Sequence, residues 1–453
     1  MDRTRRGKIK VVNVSIENKA TDSCSDVGDT VTVKGGQRSG SVYVPASKSV
    51  VHRLLICAAL AEKPCTILAQ NISKDIDATI SCLNSMGAEI TKRDADGQDG
   101  PGRKSVQITV NKGVTRGGEC DAYCGESGST LRFLIPVACA LGKTVRFHME
   151  GKLPERPHSV LTDELKKHGA KFSQNDSVLS VGGAISSGTF TIEGNVSSQF
   201  ISGLLFALPL LNGDSKIVIN RKRESESYIG MTLDAVTSAG IAIKTEKDGF
   251  FVGGGQKYEV SGSAEAERDW SGAAFFLCMG AMSEKGITVC GMNPDSHQGD
   301  KKMIDLIKEF GGDVKIVGSD ITVKKGVCKP LDVDASDIPD LVPVLSVLLC
   351  AAQGKSVIRN AQRLRFKESD RLASTSEMIR ALGGEVNMTD DGLEIFGTGS
   401  LEGGTVDTAG DHRIAMSAAT AAGICTGDVV IPGARCADKS YPGFFDDLCD
   451  LDI

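Results

Sequence analysis

Apolar and polar positions along this chain fall into two helical patterns that alternate with short strands. Helices of the first kind are apolar on one face and end at a glycine followed by a short alternating strand: SMGAEI at Gly87, KHGAKF at Gly169, SAGIAI at Gly240, EFGGDV at Gly311 and ALGGEV at Gly383. Helices of the second kind are apolar on nearly every face, over residues 54–60, 131–141, 200–211, 273–282, 341–352 and 414–424. An all-round apolar helix must be buried, whereas one with a polar face lies outside, so buried and outer helices should alternate. A short apolar strand follows most buried helices, as in GKTVRF, GDSKIVI, GITV, GKSVI and GDVVI.

The five glycines are separated by 82, 71, 71 and 72 residues, which marks an internal repeat. One further step from Gly383 passes the last residue, so a sixth unit has to be completed by strands from near the start, such as residues 30–34. Each unit reads as strand, helix, strand, helix and further strands, an α+β fold with mixed sheets. Three units per domain is the natural division. The chain enters one domain near Pro45 and leaves it along the glycine-rich and polar stretch 253–267. The expected domains are 46–267 and a discontinuous 30–45 plus 268–453, preceded by an extension over 1–29 with one edge strand at 10–15.

Composition narrows the class. The chain has 453 residues, 40% hydrophobic and 24% charged, ordinary for a globular protein of two or three domains and unlike disordered or fibrous chains. A net charge of −6 offers no basic field for nucleic acid or a membrane surface, so any anion site has to be local. The longest apolar runs, 204–211 and 342–352, fall short of the roughly 20 residues of a membrane span, which predicts a soluble protein. Residues 1–29 begin basic and turn acidic without an apolar core, which argues against a secretory or transit signal. Fourteen scattered cysteines with no Cys-x-x-Cys pair then predict reduced thiols in the cytoplasm. No metal-ligand cluster or nucleotide-binding loop is visible, so neither a metal nor a cofactor is expected.

Candidate chemistry gathers where the buried helices begin. A short strand stops at Pro45, Ser47 offers an N-cap oxygen, and Lys48, Ser49 and Arg53 occupy the first two turns. Free N–H groups and the positive end of the helix dipole already favour an anion there, and two cations and a hydroxyl complete a phosphate or carboxylate cradle. The equivalent starts are Gly128-Ser129-Thr130 with Arg132, Ser197-Ser198-Gln199, Asp269-Trp270-Ser271, Asp337-Ile338-Pro339-Asp340 and Asp411-His412-Arg413. Capping accounts for the short polar residues but not for Arg53, Arg132 and Arg413, which oppose the dipole. The loops before the outer helices add a second ring: Glu155-Arg156, Ser225 with Tyr228, Lys367-Glu368 with Arg371 on one expected helical face, and Lys439.

With those residues set out, the chain closely resembles the 5-enolpyruvylshikimate-3-phosphate synthases over residues 31–450. Eight spaced motifs carry the likeness: Pro-x-Ser-Lys-Ser with Arg53, Gly-x-x-Gly-Ser-Thr-x-Arg132, Glu-Arg156-Pro, Val-Ser-Ser-Gln199-Phe, Ile-Pro-Asp340, Lys-Glu-Ser-Asp-Arg371, Asp-His-Arg413 and Lys439 before an aromatic and Pro442. The resemblance implies an inside-out α/β barrel in each of two domains, with the N-termini of buried helices facing an interdomain cleft. It implies transfer of the enolpyruvyl group of phosphoenolpyruvate to the 5-hydroxyl of shikimate 3-phosphate, with no cofactor, by a cytoplasmic monomer. Carried over by position, Lys48, Ser49, Arg53, Ser197, Ser198, Gln199, Ser225, Tyr228, Asp340 and Lys367 would bind shikimate 3-phosphate, Arg53 by its carboxylate. Lys48, Gly128, Arg132, Gln199, Arg156, Arg371, Arg413 and Lys439 would bind phosphoenolpyruvate. Asp340 and Glu368 would exchange protons, and Lys48 and Lys439 would stabilise departing phosphate. Gly128 matches the glycine that leaves room for the inhibitor glyphosate.

Four positions depart from the commoner family pattern: Glu126 stands for asparagine, Phe133 and Ser227 for proline, and Arg363 for asparagine. The alternatives are the sister family that uses UDP-N-acetylglucosamine and a catalytically silent anion binder. The first carries Gly-Ala-Lys-Asn where this chain has Ala46-Ser47-Lys48-Ser49, and Cys120 and Cys124 match its loop cysteine poorly. The second would lack Lys48, Asp340 or Glu368, and all three are present.

Overall fold

The computed structural model describes residues 24–27, 29–95, 105–194, 196–220, 225–260 and 262–453. Twelve α-helices form six pairs in these residues. They are α1 (Lys48–Leu60) with α2 (Lys74–Ser85), α3 (Gly128–Ala140) with α4 (Ser159–Lys167), and α5 (Ser198–Ala207) with α6 (Glu226–Ser238). The second three are α7 (Trp270–Ala281) with α8 (Met303–Phe310), α9 (Val342–Cys350) with α10 (Arg371–Ala381), and α11 (His412–Ala421) with α12 (Phe444–Cys449). The odd-numbered helices are the buried ones. Every residue of α9 and α11 is buried, and so is every residue of α3 except Ser129. The repeat glycines 87, 169, 240, 311 and 383 all take positive φ, between 79° and 109°, as the left-handed residue that ends an outer helix requires.

The described strands make six four-stranded sheets of one plan. In one, Glu119–Gly125 runs parallel to Thr144–Met149 across α3, and the hairpin of Lys171–Asn175 and Val178–Gly182 adds antiparallel beyond α4. Two sheets borrow a strand from a distance. Gly262–Glu265 pairs with Cys65–Gln70, and Gly40–Val42 with Ile287–Val289. The sixth is completed by the N-terminal hairpin Cys24–Val27 and Thr30–Val33, which lies antiparallel on Val429–Pro432. The buried side chains fall into two clusters, one from residues 46–266 and one from 31–44 and 270–451. Two strands of chain join them, with Ser47 N donating to Glu267 O (2.7 Å) and Asp269 N to Pro45 O (2.9 Å).

Several details differ from the sequence reading. The six sheets stay separate, so each lobe surrounds its helices without closing a hydrogen-bonded barrel. The expected extension ends in a strand, Cys24–Val27, while the edge strand expected at 10–15 lies outside the described residues. Cys24 forms a disulfide with Cys449 of α12, 425 residues away, and the other twelve cysteines are thiols. A pair that distant leaves no spacing signature. Ser47 sits at the N-cap of α1, but its buried hydroxyl takes no cap bond. Asp337 caps nothing: a 3₁₀ turn, Pro339–Leu341, precedes α9, because Pro339 fits a first turn where no N–H is needed. Among the described residues no helix is long and apolar enough to cross a membrane.

One close approach fixes the core of the first lobe. Pro136 inside α3 cannot donate to the Arg132 carbonyl, and that oxygen faces Gly203 of α5. A Cβ on Gly203 would lie 2.5 Å from it and 3.0 Å from Pro136 Cγ, so only glycine lets the two helices touch. Gly203→Ala should therefore cost about 1–3 kcal/mol in urea unfolding and displace Arg132 at the start of α3.

Candidate active site

A cavity of about 510 Å³ lies between the lobes, and all six buried helices begin at its wall. Lys48 and Ser49 come from α1, Gly128 and Ser129 from α3, Ser197 and Ser198 from α5, Asp269 and Ser271 from α7, Asp340 from the turn before α9, and His412 and Arg413 from α11. Ser127, Ser197, Asp269 and Asp411 cap their helices with side-chain oxygens, which holds those first turns in place. Nine Lys or Arg side chains line the cavity against five Asp or Glu, a local excess of positive charge in an acidic chain. Convergent helix N-termini and guanidinium groups of this kind bind phosphates and carboxylates.

The cations are held by the protein in fixed directions. Arg53 donates through Nε to Thr232 Oγ1 (2.9 Å) and through its two terminal nitrogens to Ser49 O (2.7 Å) and Tyr228 O (2.8 Å). That engages three of a guanidinium's five N–H groups. Burial lowers its pKa to about 10. Arg132 donates to Gln199 Oε1 (2.8 Å), and Gln199 Nε2 to Ser129 Oγ (2.9 Å). Burial, with Arg156 beside it, brings Arg132 down to about 9. Lys48 pairs with Asp75 at 2.8 Å. Arg132 Nε and Arg413 Nε are buried with no hydrogen-bond partner in the protein, a state that a native fold rarely leaves uncompensated.

Arg371 ties the second lobe's share together. Its Nε donates to Asp411 Oδ2 (2.8 Å), and its terminal nitrogens to Asp340 Oδ1 (2.8 Å) and Glu368 Oε2 (2.6 Å). Lys367 reaches Asp340 Oδ1 at 3.4 Å and Arg413 reaches Asp340 Oδ2 at 3.3 Å. Burial alone would raise the Asp340 pKa, but Arg413, Lys367 and Arg371 outweigh it and hold the carboxyl well below the usual range. Glu368 is likewise pushed up by burial and pulled further down by Arg371 and Arg156. Burial lowers Lys367 to about 8 and His412 to about 3, so that imidazole is neutral. Asp300, buried behind Ser271, is raised by burial to about 6.

Contacts cross the cleft from lobe to lobe. Tyr228 donates to Asp340 Oδ2 (3.1 Å), Arg156 pairs with Glu368 (3.2 Å), Arg363 donates to Ser225 Oγ (2.8 Å), and Lys439 pairs with Glu126 (2.8 Å). Both lobes therefore wall the cavity.

The family model for EPSP synthase (3-phosphoshikimate 1-carboxyvinyltransferase) matches residues 33–448. The chain belongs to the EPSP synthase family. Relatives named 3-phosphoshikimate 1-carboxyvinyltransferase include one from Clostridium kluyveri, 40% identical over 424 residues, 93% of this chain and 97% of the relative. One from Clostridium novyi is 38% identical over 423 residues, again 93% and 97% of the two chains. Among solved structures, an EPSP synthase from Acinetobacter baumannii shares the fold with a TM-score of 0.72, at 24% identity and covering 92% of this chain and 97% of that one. The enolpyruvyl transferase NikO from Streptomyces tendae shares it equally, TM-score 0.72 at 17% identity, covering 93% and 97%.

Of the residues singled out on family grounds, all line the cavity except Lys439, which points to Glu126 while its neighbour Ser440 forms part of the wall. Lys367 and Glu368 sit on the turn before α10, not on its face as their spacing suggests, and still meet Arg371 at Asp340 and through the Glu368 pair. Ser225 takes left-handed backbone (φ 56°), unusual for a residue with a side chain, and its hydroxyl accepts from Arg363. Sequence reasoning gave Asp75 no role and Asp411 only a cap. Neither leaves a local signal, because Asp75 meets Lys48 27 residues away and Asp411 meets Arg371 40 residues away. Asp411 both caps α11 and balances Arg371. Asp411→Asn keeps a capping oxygen and removes one of the three carboxylates around Arg371, so it should lose about 1.5–3 kcal/mol in urea unfolding.

Proposed function

We propose that this cleft transfers the enolpyruvyl group of phosphoenolpyruvate to the 5-hydroxyl of shikimate 3-phosphate and releases inorganic phosphate. The observation that carries the reading is the convergence of six helix starts and nine cations on one cavity in a member of this family. Both substrates are polyanions with planar carboxylates, which suit bidentate arginine. Shikimate 3-phosphate would lie against Ser49, Arg53, Ser197, Ser198, Ser225, Tyr228 and Lys367. Phosphoenolpyruvate would lie against Gly128, Arg132, Arg156, Arg371, Arg413 and Lys439, with Lys48 and Gln199 between the two.

The chemistry asks for a proton on the methylene carbon, attack by the hydroxyl at the neighbouring carbon, and then loss of a methyl proton and phosphate. Asp340 is the base for the hydroxyl and Glu368 exchanges the proton at carbon. In the empty cleft the cations keep both carboxylates ionised and weakly basic. Two anionic substrates would neutralise Arg371, Arg413 and Lys367 and raise that basicity where it is needed. A Cβ on Gly128 would lie 3.0 Å from an Arg156 nitrogen and 3.3 Å from one of Arg132, so glycine keeps that pocket open, and we expect glyphosate to fit it. We further propose two domains, 46–267 and 30–45 plus 268–453, closing on substrate in a cytoplasmic monomer. The two separate cores support the domain division.

Phosphate release from phosphoenolpyruvate should require shikimate 3-phosphate and be suppressed by glyphosate. Release with UDP-N-acetylglucosamine instead, or with no acceptor, would overturn the assignment. Asp340→Asn and Glu368→Gln should each lower kcat by about 10²–10⁴. Lys367 has to be protonated to meet a phosphate, and its pKa is about 8. The charge is present below that value and lost above it, so kcat/KM for shikimate 3-phosphate should fall as pH rises through about 8, and Lys367→Arg should remove that limb.

A further inference from the structure

We infer that Glu126 sets the affinity for phosphoenolpyruvate by occupying Lys439, a lysine that the substrate has to win from it. The inference rests on the reading that Lys439 meets phosphoenolpyruvate. Lys439 closes the 3₁₀ turn Ala434–Lys439, and its Nζ lies 2.8 Å from Glu126 Oε2 of the opposite lobe. The lysine side chain is 10% exposed and does not line the cavity, although Ser440 beside it does. Glu126 is 47% exposed, and its carboxylate passes over Gly151, which has φ 55° and no side chain to crowd it.

A carboxylate on Lys439 acts in two ways. It presents the ammonium with an anion before any substrate arrives, and it joins the lobes at the edge of the cleft. Binding must then exchange one carboxylate for another, where an uncharged amide would leave the ammonium to the substrate. Lys439 also lies near enough to Glu368 to help hold it ionised, so the exchange is felt at a proton-transfer group. An ion pair this exposed is worth at most about 1 kcal/mol, which bounds the effect at about fivefold.

The test is Glu126→Gln, with the shorter Glu126→Asn as a second variant, compared with the unmodified enzyme. The readouts are KM for each substrate at saturation of the other and equilibrium titration of phosphoenolpyruvate into enzyme saturated with shikimate 3-phosphate. Affinity for phosphoenolpyruvate should tighten about two- to fivefold in both variants, KM for shikimate 3-phosphate should stay, and the difference should shrink in high salt. Unchanged or weaker phosphoenolpyruvate binding overturns the inference, as does an equal movement of both constants, which is what a purely structural latch predicts. Tighter binding without turnover in any of the proteins would remove the proposed reaction and leave this inference standing.

Discussion

A helix that is apolar on every side has only its ends free for polar chemistry, and this fold brings six such helices to one place. Burial fixes the helices, since fully burying each Leu, Val, Ile or Phe side chain contributes about 1.5–3 kcal/mol. The consequence is that six sets of free N–H groups point toward one cavity. Polar residues at those starts are not decoration on a scaffold. They are the only positions where the buried helices can carry function.

Concentrating cations there creates a second constraint. Nine Lys and Arg side chains around about 510 Å³ repel one another, and burial raises the cost of each charge. The fold answers with carboxylates placed among them. Asp411 neutralises Arg371 from within the core, Asp75 meets Lys48, and Asp340 is shared by Lys367, Arg371 and Arg413. Asp340 and Glu368 therefore belong to the electrostatic support of the empty site as well as to its proposed chemistry. Removing either disturbs the arginines that bind substrate, so kinetic losses at these positions combine base strength with positioning.

Much of this was legible because it is periodic. All-round apolarity at 54–60 or 341–352 marked the buried helices, and the glycines at 87 to 383 marked the repeat whose equivalence placed Lys48 and Arg413 at matching helix starts. What was not legible is what depends on distance in space without a local period. The Cys24–Cys449 disulfide and the Lys439–Glu126 pair join residues more than 300 positions apart. Local rules also failed where the tertiary setting overrode them. Ser47 has the composition of a cap without the bond, and Pro339 turned an expected helix start into a 3₁₀ turn that offers Asp340 to the cavity.

Three of the four departures from the family pattern, at 126, 227 and 363, fall on the seam between the lobes, whereas Phe133 packs inside the first lobe against Phe206 and His52. Arg363 reaches from the second lobe to Ser225 of the first, and Glu126 from the first lobe to Lys439 of the second. Ser227 lies against Gly299, where a Cβ would come within 2.2 Å of its hydroxyl. Asparagine at 126 could make a hydrogen bond but no ion pair, Arg363 donates to Ser336 O as well as to Ser225, and the buried Ser227 hydroxyl has no hydrogen-bond partner in the protein. At 126 and 363 this chain thus makes charged contacts between its own lobes beside the cavity proposed to bind substrate. Contact between the lobes and affinity for anions then draw on the same side chains, and a gain in one is felt in the other.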